Sequence, residues 1–227
     1  MKKYKGIILL FAAGLVIMAY PHIAQLVNRE LQHRQAEDFR TVLDGMSDSD
    51  ITELMKRARR YNEDIHEDLD GLRDPWGDQQ ALMVSYNETM GFGDEDAFGA
   101  LEIPKLNLHT PIYLGSSEAV LSKGIGQVEG SSLPLGGTST HTVLAGHRGM
   151  WTKTMFRHLD QLRPGDLFYV HTIDGKLTYR VTSQQVIYPD ETDSLEIQEG
   201  KDLATLLTCH PYPQNYQRLL VHAERER

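Results

Sequence analysis

The sequence predicts a mainly β fold: a closed or nearly closed barrel of about eight short strands with short helices, preceded by an N-terminal helical segment. Three observations carry this expectation. From Leu101 onward, short runs rich in Val, Ile, Leu and Thr alternate with turn residues. Residues 28–70 are polar and hold one clear amphipathic repeat, and residues 1–27 are basic and then apolar. Short strands with little helix between them favour a barrel, because a parallel sheet needs a helical crossover between neighbours.

At the N-terminus, Lys2, Lys3 and Lys5 precede residues 6–20, which contain no charge, and residues 21–27 add only His22 and Gln25 as clearly polar members. The strictly apolar part suits an export signal, and extension to Val27 reaches the roughly 20 residues that cross a bilayer. No small-x-small cleavage site follows. The expectation is an uncleaved membrane anchor with its basic end cytoplasmic and the rest outside, a cleaved signal peptide being the alternative. The formal net charge of −9 argues against nucleic acid as the main partner.

Next, Ile51, Leu54, Met55, Ala58, Tyr61 and Ile65 recur at helical spacing behind Ser47, Asp48, Ser49 and Asp50, which offer N-caps. This predicts a helix over 49–65 whose apolar stripe packs on the main domain. Leu72-Arg73-Asp74-Pro75-Trp76-Gly77-Asp78 reads as a loop carrying a single tryptophan. That ring needs a burial partner, since leaving it in water forgoes roughly 2 kcal/mol. Strands are expected over 101–106, 110–114, 140–145, 167–173, 176–181, 186–188, 203–209 and 218–223, with a two-residue hairpin turn at Asp174-Gly175. A helix is expected over 152–161, stopped by Arg163-Pro164-Gly165-Asp166, and a helical turn over 118–123. The chain thus divides into an anchor (1–27), a helical segment (28–70), a loop (71–80) and the barrel (81–227).

Cys209 is the only cysteine, and it closes the apolar run Ala204-Thr205-Leu206-Leu207-Thr208-Cys209 before His210-Pro211-Tyr212-Pro213. One thiol cannot form an internal disulfide, so on an exported chain it is either buried packing or kept for chemistry. A thiolate nucleophile needs a base or a positive neighbour, because an ordinary cysteine is mostly protonated at neutral pH. His147 fits: Thr142-Val143-Leu144-Ala145-Gly146-His147-Arg148-Gly149 sets it just after an apolar strand, between glycines that permit a tight, exposed turn. His141 begins the same strand and points to another end of the barrel. His66, His158, His171, His210 and His222 read as ordinary. Arg218 follows Cys209 after a turn and can reach the same barrel mouth if the two strands are neighbours, there to stabilise an oxyanion; the competing reading is a surface salt bridge on an edge strand.

Together these residues resemble the sortase family of cysteine transpeptidases. Thr205-Leu206-Leu207-Thr208-Cys209 resembles the sortase signature that ends in the nucleophile, residues 142–149 resemble its histidine motif, and Arg218 before Leu219-Leu220-Val221 stands where the family arginine does. Asp74-Pro75-Trp76 resembles the lid of class C, the pilus-assembling sortases, in which the aspartate lies near the arginine and the aromatic ring near the cysteine. Many class C members carry a second hydrophobic segment at the carboxyl end, whereas this sequence ends Glu224-Arg225-Glu226-Arg227, so either the sequence is shortened or this member has a single N-terminal anchor.

The resemblance implies an eight-stranded sortase-type barrel on a Gram-positive cell surface and a two-step reaction. Cys209 attacks the Thr-Gly bond of an LPXTG-like signal, His147 serves as acid and then base, and Arg218 steadies the oxyanion or the peptide. The acceptor it implies is a pilin lysine, which makes pilins the partners. No cofactor is required, and neither HExxH nor paired Cys-x-x-Cys spacing gives zinc any support. A housekeeping-type sortase acting on cell-wall peptide and a non-enzymatic peptide-binding barrel are the alternatives; a papain-type protease does not suit a strand-rich chain with histidine before cysteine.

Overall fold

The computed structural model describes residues 2–67, 75–76 and 96–226. Asp74 and most of the 71–80 loop lie outside the described residues.

Helix α1 spans Lys2–Gly45 and passes residue 27 without a break. Its large apolar residues up to Leu31 are exposed, whereas Gln32, Ala36 and Phe39, one helical face, are buried. Helix α2, Asp48–Glu67, meets the expectation for 49–65. Leu54 and Ala58 pack with Phe98, Leu114 and Leu133, so the apolar stripe does close on the barrel. Buried Asn62 locks this contact: its Nδ2 donates to Leu133 O (3.3 Å) and its Oδ1 accepts from Leu133 N (2.7 Å).

Eight strands form a closed barrel. They are β1 (Gly99–Ile103), β2 (Leu108–Leu114), β3 (Ile125–Gln127), β4 (Thr140–Ala145), β5 (Leu167–Thr172), β6 (Gly175–Ile187), β7 (Asp202–His210) and β8 (Gln217–Arg225). Around the barrel the order is β1-β2-β3-β4-β7-β8-β6-β5, with β5 returning to β1. Leu101, Ile103, Ile112, Leu144, Phe168, Tyr179, Leu206 and Val221 fill the interior. A second cluster, including Val143, Ala145, Leu207 and Leu220 with Ile187 and Leu195, covers the outside of β4, β7 and β8. Both faces of these strands are therefore apolar, which is why they read as continuous hydrophobic runs.

Several boundaries differ from expectation. The 101–106 strand ends at Ile103, because Pro104 opens a 3-10 turn (Pro104–Leu106) and Asn107 adopts a left-handed conformation at φ 48°. The hairpin turn sits one residue earlier, on Ile173-Asp174, since Thr172 pairs with Gly175. Residues 186–188 are not a separate strand: β6 continues through an irregularity between Val181 and Ser183 as far as Ile187. The strand that replaces them in the count is β3, three residues centred on Gly126, where a Cβ would lie 2.4 Å from Gly115 O. Residues 118–121 form a single helical turn, α3 (Glu118–Leu121), capped by Ser117. The helix expected over 152–161 is instead a run of turns ending in a 3-10 segment, Leu159–Gln161. Met155 at φ 45° cannot continue a right-handed helix, and Phe156 N donates to His147 O (3.0 Å) rather than within its own segment.

Candidate active site

Two pairings assemble the site. β4 and β7 run parallel, with Ala145 opposite Leu207, so both chains leave the sheet at the same end. Two residues further, this register brings His147 level with Cys209. β7 and β8 are antiparallel, with Cys209 directly opposite Arg218. The strand neighbourhood that Arg218 requires is thus present, and β8 is an interior strand of a closed barrel. Arg218 is only 6% exposed, which removes the surface salt-bridge reading.

The period of two in a strand decides which way these side chains face. Leu206 lies inside the barrel and Leu207 in the outer cluster, so Cys209 shares the outer face with Leu207 and Thr205. On β8, Leu219 and Val221 point inward, leaving Arg218, Leu220 and His222 outward. The site therefore lies on the outer wall at one end of the barrel rather than in its mouth. Cys209 is in no disulfide and is 8% exposed.

The joint between β4 and His147 is held from β7. Gly146 N donates to Leu207 O (3.0 Å), and Thr208 Oγ1 donates to Gly146 O (2.6 Å). A Cβ on Gly146 would meet Ile125 Cδ1 at 2.6 Å and Phe156 Cδ2 at 2.9 Å. Gly146 thus provides clearance, while Gly149, at φ +111°, provides the unusual turn. Beyond it, buried Arg148 pairs with Asp160 (2.9 Å) and its Nε donates to Arg157 O (3.2 Å), pinning the loop.

His147 Nε2 lies 3.4 Å from Glu118 Oε1, at the first turn of α3. Trp76 packs on the outer cluster, its ring 6.3 Å from the His147 ring and 5.0 Å from Arg218 Cζ. The isolated tryptophan has the burial partner its loop context called for. Arg218 Nη1 also donates to Asn215 O (3.1 Å) and Gln217 O (3.0 Å), which fixes the near side of the guanidinium. Glu118 gave no sequence signal, because its approach to His147 depends on the β2–β3 connection rather than on spacing.

At the far end of the same outer face lies a buried polar relay that the sequence did not show, joining His141, the weaker candidate for the thiol's partner, to His222, which read as ordinary. His141 Nδ1 bonds Glu196 O (2.9 Å), and its Nε2 bonds Thr205 Oγ1 (2.7 Å), which bonds His222 Nδ1 (2.9 Å). The carbonyl fixes the protons in turn: His141 Nδ1–H donates to it, Thr205 O–H donates to the bare His141 Nε2, and His222 Nδ1–H donates to Thr205. His222 Nε2 is then bare, buried and without a partner among the described residues. Burial and the neighbouring His141 push the His222 pKa down to about 4; His141 is also lowered, chiefly by burial. His141 thus stands away from the thiol, as expected.

A closed β-barrel bearing a thiol, an imidazole and a guanidinium at adjoining strand ends holds the residue types that a cysteine transpeptidase uses. A family model described as the sortase domain matches residues 101–226, more than half of the chain, and the chain belongs to the sortase family. It is 34% identical to sortase D of Bacillus subtilis over 135 residues, 60% of this chain and 63% of that one. It is 27% identical to sortase A of Streptococcus agalactiae over 132 residues, 57% of this chain and 53% of that one. The chain spans less than two thirds of these curated relatives. Among solved structures, sortase C-1 from Streptococcus pneumoniae matches with a TM-score of 0.78 and 38% identity, covering 86% of this chain and 98% of that one. Sortase C1 of GBS pilus island 1 matches with a TM-score of 0.77 and 37% identity, covering 86% and 92%. Coverage of 86% extends well beyond residues 101–226, so the likeness to class C includes sequence N-terminal to the barrel.

Proposed function

We propose that this chain is a membrane-anchored class C sortase that joins pilin subunits. The observation that carries this reading is Trp76, which sits against both Arg218 and His147, as a lid residue over the site would. The likeness to sortase C structures with pilus in their descriptions supports it. The apolar first half of α1, long enough to cross a bilayer and with none of its apolar window buried, supports the anchor.

In this reading the Cys209 thiolate attacks the Thr carbonyl carbon of an LPXTG-like signal. The oxyanion that forms is stabilised by the Arg218 guanidinium. His147 protonates the departing glycine amine as the C–N bond breaks, leaving a thioester on Cys209. A pilin lysine amine then attacks the thioester while His147 takes its proton. An isopeptide bond forms, and the thiolate is released. Trp76 keeps the resting thiol covered.

The test is incubation of the enzyme with a pilin carrying such a signal. Covalent ladders lost in Cys209→Ala support the assignment. Transfer only to a peptidoglycan-like amine would assign a housekeeping role instead, and absence of any acyl adduct on Cys209 would favour a peptide-binding barrel.

A further inference from the structure

Trp151 is 72% exposed, although the segment around it is firmly held. Met150 N donates to Lys153 O (2.8 Å), closing a tight reversal with Trp151 and Thr152 at its tip. Arg157 Nη2 donates to Met150 O (2.8 Å), and Lys153 Nζ donates to Ser122 O (2.6 Å). A rigid tip that presents a large amphipathic ring to solvent calls for a partner with an apolar side and a wet side.

The tip is tied to α1 at a defined height. Gln25 Nε2 donates to Trp151 O (3.2 Å), and Asn28 Nδ2 donates to Thr152 O (3.1 Å). Gln25 and Asn28 are the last polar residues before Arg29, which ends the uncharged stretch that begins after Lys5. At about 1.5 Å per residue this stretch, residues 6–28, is roughly 34 Å long, against about 30 Å of bilayer hydrocarbon. The outer edge of the hydrocarbon therefore falls within about one helical turn of the residues that grip the tip.

We propose that Trp151 is an interfacial anchor: its indole lies among the headgroups of the outer leaflet and seats the barrel on the bilayer, with the loop after His147 against the lipid. Indole rings concentrate at this level of a membrane. The proposal rests on reading α1 as the membrane anchor. Its consequence concerns substrates: His147 is four residues from Trp151, so their backbones are at most about 14 Å apart. The site then opens beside the membrane and suits acyl donors that are themselves emerging from that leaflet.

The test uses the full chain in vesicles of phosphatidylcholine and phosphatidylglycerol. The sequence has two tryptophans, so Trp76→Phe leaves Trp151 as the sole fluorophore. Nitroxide-labelled lipids should quench its emission, with the label near the headgroup at least about twice as effective as the label at the chain end. In Trp151→Phe the remaining Trp76, packed on protein, should show little lipid quenching. Full quenching of Trp151 by aqueous iodide with none by lipid, in vesicles that carry the protein on flotation, would overturn the inference alone. So would equal lipid quenching of Trp76. Failure of the chain to float with the vesicles would overturn the anchor reading and this inference with it.

Discussion

The relay of His141, Thr205 and His222 predicts that acid weakens the barrel at a defined place. Protonating His222 would put a buried N–H on Nε2 with no acceptor among the described residues and set a charge in a buried site beside His141, so the folded state resists it. The sign follows from linkage: the unfolded ring takes up its proton near 6.5 and the folded ring near 4, so stability present above 6.5 is lost as pH falls through that window. The difference between those two values amounts to about 3 kcal/mol, which solvent reaching the half-buried ring reduces to about 1–2 kcal/mol. The perturbation is His222→Asn, which keeps a donor for Thr205 and cannot titrate. Urea unfolding of the full chain in detergent micelles, measured from pH 7 to pH 4.5, should show wild type losing about 1–2 kcal/mol more than the variant. His109, whose pKa is lowered by burial and by His33 and His171, contributes equally to both proteins, so the difference isolates His222. Parallel loss of stability in the two proteins would refute the reasoning.

Four further outcomes are expected. Cys209→Ala should abolish the acyl adduct seen by mass spectrometry while leaving the urea midpoint little changed, since the substitution trims one atom from a small buried side chain. Asp74→Ala with Trp76→Ala should speed alkylation of Cys209 about 2- to 30-fold, the range that loss of a cation–π contact of about 0.5–2 kcal/mol allows; an unchanged rate would count against a lid. Gly146→Ala should cost about 1–3 kcal/mol in unfolding experiments, because its methyl collides with Ile125 and Phe156, and should lower kcat by shifting His147. Arg218→Lys keeps the charge but loses the planar fork, and acylation measured in single turnover should fall about 100-fold or more.

The barrel and the three candidate residues that it brings to one end were legible in the sequence, and several element boundaries were not. Cys209, His147 and Arg218 stood out because each sits at the end of an apolar run, and strand ends are where side chains leave the sheet. Which face they occupy was not legible: that depends on β4, β7 and β8 being covered on both sides, so the runs show no alternation to read. β3 escaped notice because three residues centred on glycine carry too little pattern, although the close approach of Gly115 O makes that glycine necessary. The helix expected over 152–161 failed because Met155 takes a positive φ to meet the loop after His147, a tertiary demand that overrides local preference. Glu118 and the histidine relay were invisible for a related reason. They depend on contacts between residues far apart in sequence, such as His141 with Thr205 and Thr205 with His222.

The parallel pairing of β4 with β7 also sets the order in which chemistry can appear. His147 and Cys209 are 62 positions apart and come to the same end of the barrel only when β7 enters between β4 and β8, and Arg218 arrives on the last strand of all. Such non-local pairing is slow compared with local helix formation. A chain emerging N-terminus first has its helices in place while the thiol still lacks its neighbours from β4 and β8. Reactivity is thus a product of barrel closure: an incomplete or misfolded chain carries a cysteine, but not an assembled nucleophile.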